Sequence, residues 1–191
     1  MTNEKIIEIT FHGRGGQTAV TASQLLAELA YEEGFKDAIS IPLIGAERRG
    51  APIQAYTKLS KKKTIKTYDS VKNPDFILIF DDSLLEIPKI QDIIKEGAIL
   101  VINSKDPNSI KKFTKNNKTF IIDATGICIK RGLMHASGPI LNVPMLGAFG
   151  KVSGFYSINT IEKVMKRVFG EDKLEINLNV ARDAYNAVKE V

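Results

Sequence analysis

Three short runs do most to limit what this chain can become: FILIF (76–80), AILVIN (98–103) and TFIIDA (119–124) are apolar at nearly every position. A strand with one wet face alternates apolar and polar residues, so an uninterrupted run demands cover on both faces, as for a central strand of a parallel sheet. Between and around the runs lie segments of helical period, at 88–96, opened by Pro88, and at 107–115. Buried strands alternating with helices give an α/β architecture.

The flanking sequence extends the rhythm. KIIEITF (5–11) is a β-branched strand, and residues 17–33 place Ala22, Leu25, Leu26, Leu29 and Ala30 at helical spacing before Gly34 closes the segment. AISIPLI (38–44) reads as a second strand that Pro42 ends or confines to an edge, and PIQAYTKL (52–59) alternates as a strand with one buried face. Two helical stretches fill 139–169, and Leu178, Ala181, Ala184, Tyr185 and Val188 mark a closing amphipathic helix over 176–191. At 191 residues and 43% hydrophobic the chain has material for one substantial core, and no linker, repeat or low-complexity stretch divides it. The expected fold is a single α/β domain over 1–191, an open, largely parallel sheet with helices on both faces in a Rossmann-like three-layer arrangement.

Composition closes off several functions. Lys and Arg total 27 against 22 Asp and Glu, a formal charge of +5, but the basic residues are spread among acidic ones. The one dense run, KLSKKKTIK (58–66), has no interleaved aromatics on which bases would stack, so it reads as a solvated hairpin or loop face. With Cys128 the only cysteine and His12 and His135 the only histidines, the chain cannot build an intramolecular disulfide, a tetrahedral Cys/His zinc site or an iron–sulfur cluster of its own. MTNEKIIEIT lacks a cleavage pattern, and no apolar run reaches membrane-spanning length. A soluble protein of a reducing, cytoplasmic compartment is expected, with no nucleic-acid or membrane partner.

Three clusters carry the candidate chemistry. In FHGRGGQTAV, Gly13, Arg14, Gly15, Gly16, Gln17 and Thr18 occupy the turn from the first strand into the first helix, where unpaired amides and a partly positive helix end suit an anion. As a dinucleotide fingerprint the turn is poor, because Thr18 stands where the third glycine belongs and no acidic residue ends the second strand. A tight turn with close helix packing explains the glycines equally well. In IGAERRGAP (44–52), Glu47, Arg48 and Arg49 sit in a loop before a strand; paired guanidiniums suit phosphate or carboxylate, and an exposed charged turn is the plain alternative. In GPILNVPMLGAFG (138–150), too apolar for a free loop, Asn142 either caps a buried helix or reaches a ligand, while Met145 and Phe149 read as packing residues. His12, His135 and Cys128 read as turn, loop and core residues, and no nucleophile–base pair or metal set is evident, so no catalytic or metal-binding residue is assigned.

Taken in order, GRGGQTAVTASQLLAELA, IGAERRGAP and NVPMLGAF resemble the gamma subunit of 2-oxoacid:ferredoxin oxidoreductases, the pyruvate (pyruvate synthase) type most closely, over residues 6 to about 169. The resemblance implies an enzyme that converts pyruvate, coenzyme A and oxidised ferredoxin to acetyl-CoA, carbon dioxide and reduced ferredoxin, with flavodoxin as an alternative acceptor. It implies partner subunits alpha, beta and delta, with thiamine diphosphate and magnesium on alpha and beta, iron–sulfur clusters on beta and delta, and no cofactor bound by the gamma chain alone. It makes Gly13–Thr18, Glu47, Arg48, Arg49 and Asn142 candidates for coenzyme A phosphates or for subunit contact. The family turn usually reads G-x-G-G-Q-G, and Thr18 departs from it at the last position. Gamma subunits for 2-oxoglutarate, branched-chain 2-oxoacids or indolepyruvate share the pattern, and a stand-alone nucleotide-binding module is the reading from a different class.

Overall fold

The computed structural model describes residues 5–43, 50–114 and 116–191. β1 (Ile7–Arg14) turns into α1 (Ala19–Glu32), followed by β2 (Asp37–Leu43), β3 (Pro52–Ser60) and β4 (Phe76–Ile79). A 3₁₀ turn at Asp82–Glu86 and the single-turn α2 (Pro88–Gln91) lead to β5 (Ile99–Asn103), α3 (Pro107–Thr114), β6 (Thr119–Ile122) and α4 (Ala124–Arg131). The two-residue strands β7 (Met134–His135) and β8 (Gly138–Pro139) form a small hairpin before α5 (Asn142–Ser153), α6 (Ile158–Phe169), α7 (Leu174–Ala187) and β9 (Lys189–Glu190).

One sheet gathers seven of these strands in the order β2-β3-β1-β4-β5-β6-β9. Its centre is parallel, as the apolar runs require: β1, β4, β5 and β6 pair in one direction. Its flanks are antiparallel, with β2 and β3 on one side and β9 on the other. For the β2–β3 pair the cause is connection length. A parallel crossover needs a dozen or more residues, and residues 44–51 between β2 and β3 do not supply them.

Two cores lie on opposite faces of the sheet. α1, α4, α5, α6 and α7 cover one face, where Ile9, Phe11, Leu78, Val101 and Ile122 meet Leu26, Cys128, Phe149, Val164 and Ala181. α5 is buried from Asn142 through Gly150 because it lies against α7 at backbone range; a side chain at Gly147 would stand 2.4 Å from the Ala181 carbonyl oxygen. α2, α3 and the 3₁₀ turn cover the other face over β4–β6, around Ile79, Leu84, Leu100 and Ile110.

Over β1 and β3 that second face carries no helix among the described residues and holds polar residues. Thr10, His12 and Glu8 pair there with Tyr56, Gln54 and Lys58. Lys58, expected on a solvated face, is 5% exposed, with Nζ 3.2 Å from Glu8 Oε1. Residues 67–73 of the β3–β4 connection flank this pair, so both faces of β3 are closed from Ala55 to Ser60 and the expected single buried face does not hold. Three other expectations need adjustment: the helix opened by Pro88 stops after one turn, α4 and the small hairpin were not foreseen, and the closing helix ends at Ala187 so that β9 can return to β6.

Candidate functional site

Strand order reverses between β1 and β4: the chain leaves β1 toward β3 and β2, and leaves β4 toward β5 and β6. In open α/β sheets the crevice above such a reversal, at the carboxyl ends of the strands, admits the ligand. Here Arg14 fills it. Its Nε lies 2.9 Å from Asp81 Oδ2, one terminal nitrogen donates to Ser83 Oγ at 2.7 Å, and the other to the Gly50 carbonyl at 3.2 Å. Gln17 accepts from the Arg14 amide through Oε1 (2.8 Å) and donates to Asp81 from Nε2 (3.3 Å). Burial by itself raises the Asp81 carboxyl, but hydrogen bonds from the Ser83 hydroxyl and Arg14, with the guanidinium charge, outweigh it and hold the group below its ordinary 3.8.

The glycine turn is correspondingly knitted together. The Gly15 amide donates to the Ala51 carbonyl, Gly50 donates back to the Gly15 carbonyl, and Gln17 donates to the Arg14 carbonyl. Among the described residues, this leaves the amides of Gly16 and Thr18 as the turn's unused donors. Two glycines are required by geometry: a side chain at Gly13 would sit 3.0 Å from Ala19 Cβ, and Gly16 has φ +97° with its α-carbon face turned to Ser137. The β7–β8 hairpin therefore roofs the turn.

Thr18 resolves the departure from the family pattern. It adopts φ 61°, ψ 22°, the only positive φ at a non-glycine residue among those described. The left-handed region costs an L-residue roughly 1–2 kcal/mol. Its hydroxyl offsets part of this by accepting from the Asn142 amide at 2.9 Å. Asn142 is 2% exposed, and its own Oδ1 accepts from the Val143 amide at 2.9 Å, so it opens α5 and joins that helix to the turn.

The structure thus brings Gly13–Thr18, Asn142 and the Gly50–Ala51 end of the arginine loop to one place, while Glu47, Arg48 and Arg49 lie outside the described residues. Asp81, Ser83 and Ser137 were missed by sequence reasoning; the Asp81-Asp82 pair closing an apolar strand was the available signal. His12 is not in the turn but in β1, fully buried, with Nε2 3.0 Å from Thr10 Oγ1 and Nδ1 3.2 Å from Gln54 Nε2. An amide nitrogen only donates, so Nδ1 accepts and Nε2 carries the proton. Burial lowers the His12 pKa from 6.5 to about 4. His135 lies in the exposed hairpin, where Nδ1 accepts from the Ser137 amide at 2.9 Å. Cys128 is a core residue, as expected, and burial pushes its thiol up to about 12.

Known proteins match the chain along nearly its whole length. The chain is 38% identical to the pyruvate synthase subunit PorC of Methanothermobacter marburgensis, over 96% of this chain and 98% of that protein. It is 39% identical to the common gamma subunit of the pyruvate/ketoisovalerate oxidoreductases of Pyrococcus furiosus, over 94% and 96%. The crystal structure of pyruvate oxidoreductase subunit PORC from Thermotoga maritima superposes with a TM-score of 0.82 at 35% identity, over 97% and 98% of the two chains. A 2-oxoglutarate:ferredoxin oxidoreductase from Magnetococcus marinus, solved with coenzyme A and succinyl-CoA bound, shares the fold at a TM-score of 0.75 and 19% identity; this chain matches 32% of its length. The sequence model for pyruvate ferredoxin/flavodoxin oxidoreductase matches residues 8–187, and with these relatives the chain belongs to that family of oxidoreductases, as one of its gamma-type subunits.

Proposed function

We propose that this gamma subunit works in a pyruvate:ferredoxin oxidoreductase with alpha, beta and delta subunits, and that it shapes the coenzyme A side of the active site. The observation that carries the reading is its end-to-end correspondence with chains named as pyruvate synthase or gamma subunits. Thiamine diphosphate with magnesium and the iron–sulfur clusters belong, in this reading, to the partners: they take carbon dioxide from pyruvate and move electrons to ferredoxin or flavodoxin. The one cysteine here is buried with a raised pKa, which removes it as a thiolate ligand. The Pyrococcus relative is named for both pyruvate and ketoisovalerate enzymes, which supports choice of the 2-oxoacid being made on other subunits.

The network around Arg14 refines the coenzyme role. All three guanidinium nitrogens of Arg14 are engaged within the fold, beside carboxylates that repel phosphate. The phosphate contacts in this reading fall to Arg48 and Arg49, which precede Gly50 in sequence, with the free amides of Gly16 and Thr18. Replacing Arg48 and Arg49 by Ala is expected to raise the apparent KM for coenzyme A by about tenfold or more, through loss of their charge-assisted contacts, with the complex still assembled. Loss of assembly instead identifies them as interface residues.

The whole reading is tested by recovering the tagged chain from its own cells without oxygen and assaying the eluate for pyruvate- and coenzyme A-dependent reduction of a viologen dye. Activity with co-eluting partners is the expected result. A lone, inactive chain overturns it in favour of a stand-alone nucleotide-binding module.

A further inference from the structure

We propose that a groove along the carboxyl ends of β4, β5 and β6 docks an extended segment of a neighbouring subunit, basic toward the β4 end and acidic toward the β6–β9 end. The proposal rests on the subunit reading above and names one of its contacts. Two adjoining clefts, of about 350 and 520 Å³, share Ser104, Lys105, Asp123 and Gly126 in their walls and so form one continuous channel.

The ends of the groove differ in charge. Toward β4, Asp82 accepts from the hydroxyls of Ser104 (2.7 Å) and Ser109 (3.4 Å), while Asp123, after β6, stands in the wall the two clefts share and accepts from the Gly126 amide (2.8 Å). These donors are neutral, whereas Asp81 beside them is neutralised by Arg14. Lys105 shares that wall and Lys130 and Lys189 stand toward β6 and β9; none of the three forms an ion pair among the described residues. Ile121 and Ile122 give this end an apolar floor, and Ile129 on the groove wall is 61% exposed.

A small polyanion drawn to the lysines meets unpaired carboxylates in the same channel, and the three lysines, all exposed, give it no enclosed seat. A polypeptide reads the charges in order. It satisfies both ends at once, covers Ile129, and is fixed in direction by the charge reversal, which is how complementary charges set register and exclude wrong partners.

The test uses the tagged full-length chain expressed with its complex. Recovery of partner subunits is expected to fall about tenfold for the triple variant Lys105→Glu, Lys130→Glu, Lys189→Glu, and to fall for the wild type as salt screens the contact. An unchanged melting temperature shows that the variant is folded, and zero-length carboxyl–amine crosslinking of the wild type is expected to join these lysines to acidic residues of one partner. Normal assembly of the triple variant overturns the proposal. Normal assembly with a raised KM for coenzyme A also overturns it, and assigns the lysines to the coenzyme. Failure of the wild type to recover any partner is a separate result, because it removes the subunit reading itself.

Discussion

The glycine turn after β1 and the groove beside it occupy the same edge of one sheet, yet they treat polar groups in opposite ways. In the turn nearly every donor meets an acceptor of the same chain: Arg14 with Asp81, Ser83 and Gly50, Gln17 with Arg14 and Asp81, Thr18 with Asn142. In the groove the exposed lysines Lys105, Lys130 and Lys189 stand without an ion pair among the described residues. Groups that have found partners at home hold the fold, and groups without them are available to others. The contrast assigns Arg14, Gln17 and the Thr18 hydroxyl, in the most conspicuous motif of the sequence, to architecture.

The strongest way to probe the partnered side is acid. His12 beneath the turn is neutral when folded, with its pKa lowered from 6.5 to about 4, so between these values the unfolded chain binds a proton that the folded chain refuses. Stability from this group is complete above pH 6.5 and is lost as pH falls through about 4, amounting to about 3 kcal/mol. Denaturant titrations across that window are expected to show a shallower slope with pH for His12→Gln. Equal slopes break the assignment of His12 to the acid limb.

Arg14→Ala comes next. It leaves Asp81 partly buried without its cation and frees Ser83, and it is expected to lower unfolding stability by about 2 kcal/mol. Thr18→Val keeps the β-branched shape but removes the acceptor for the Asn142 amide, for a loss of about 1 kcal/mol by the same measurement. Thr18→Gly loses that bond but escapes the backbone cost, so its stability is expected to stay within about 0.5 kcal/mol of wild type. At the small end, Lys130→Ala and Lys189→Ala are expected to change stability by less than about 0.5 kcal/mol. A large loss at either lysine erases the difference between the two regions.

Local pattern carried the central strands and α1, because FILIF, AILVIN and the Leu25–Leu29 face are decided by burial alone and burial leaves a periodic trace. α4 left none. Thr125, Gly126 and Ile127 are poor helix formers, and this helix rests on the Asp123 cap, on buried Ala124 and Cys128, and on the bidentate Arg131–Asp183 pair to α7. Lys58 looked solvated because its partner Glu8 is fifty residues away in sequence and meets it only across the β1–β3 ladder. The candidate site was legible in the same uneven way. Its residue types and family could be read directly, but the commitment of Arg14 depends on Asp81 and Ser83, separated from it by 67 and 69 positions.

The hydrogen bond between Thr18 and Asn142 spans 124 positions, and the ion pairs of Arg167 with Glu28 and Glu32 span more. During synthesis α1 therefore leaves the ribosome long before the helices that cover it. α1 meets β1–β3 as soon as they are made, but its contacts with α5 and α6 wait until residues 142–169 have been made, so the growing chain passes through an interval with that helix half covered. A messenger truncated before codon 142 leaves a polypeptide whose first helix lies on β1–β3 but lacks the cover of α5 and α6, an unfinished apolar surface.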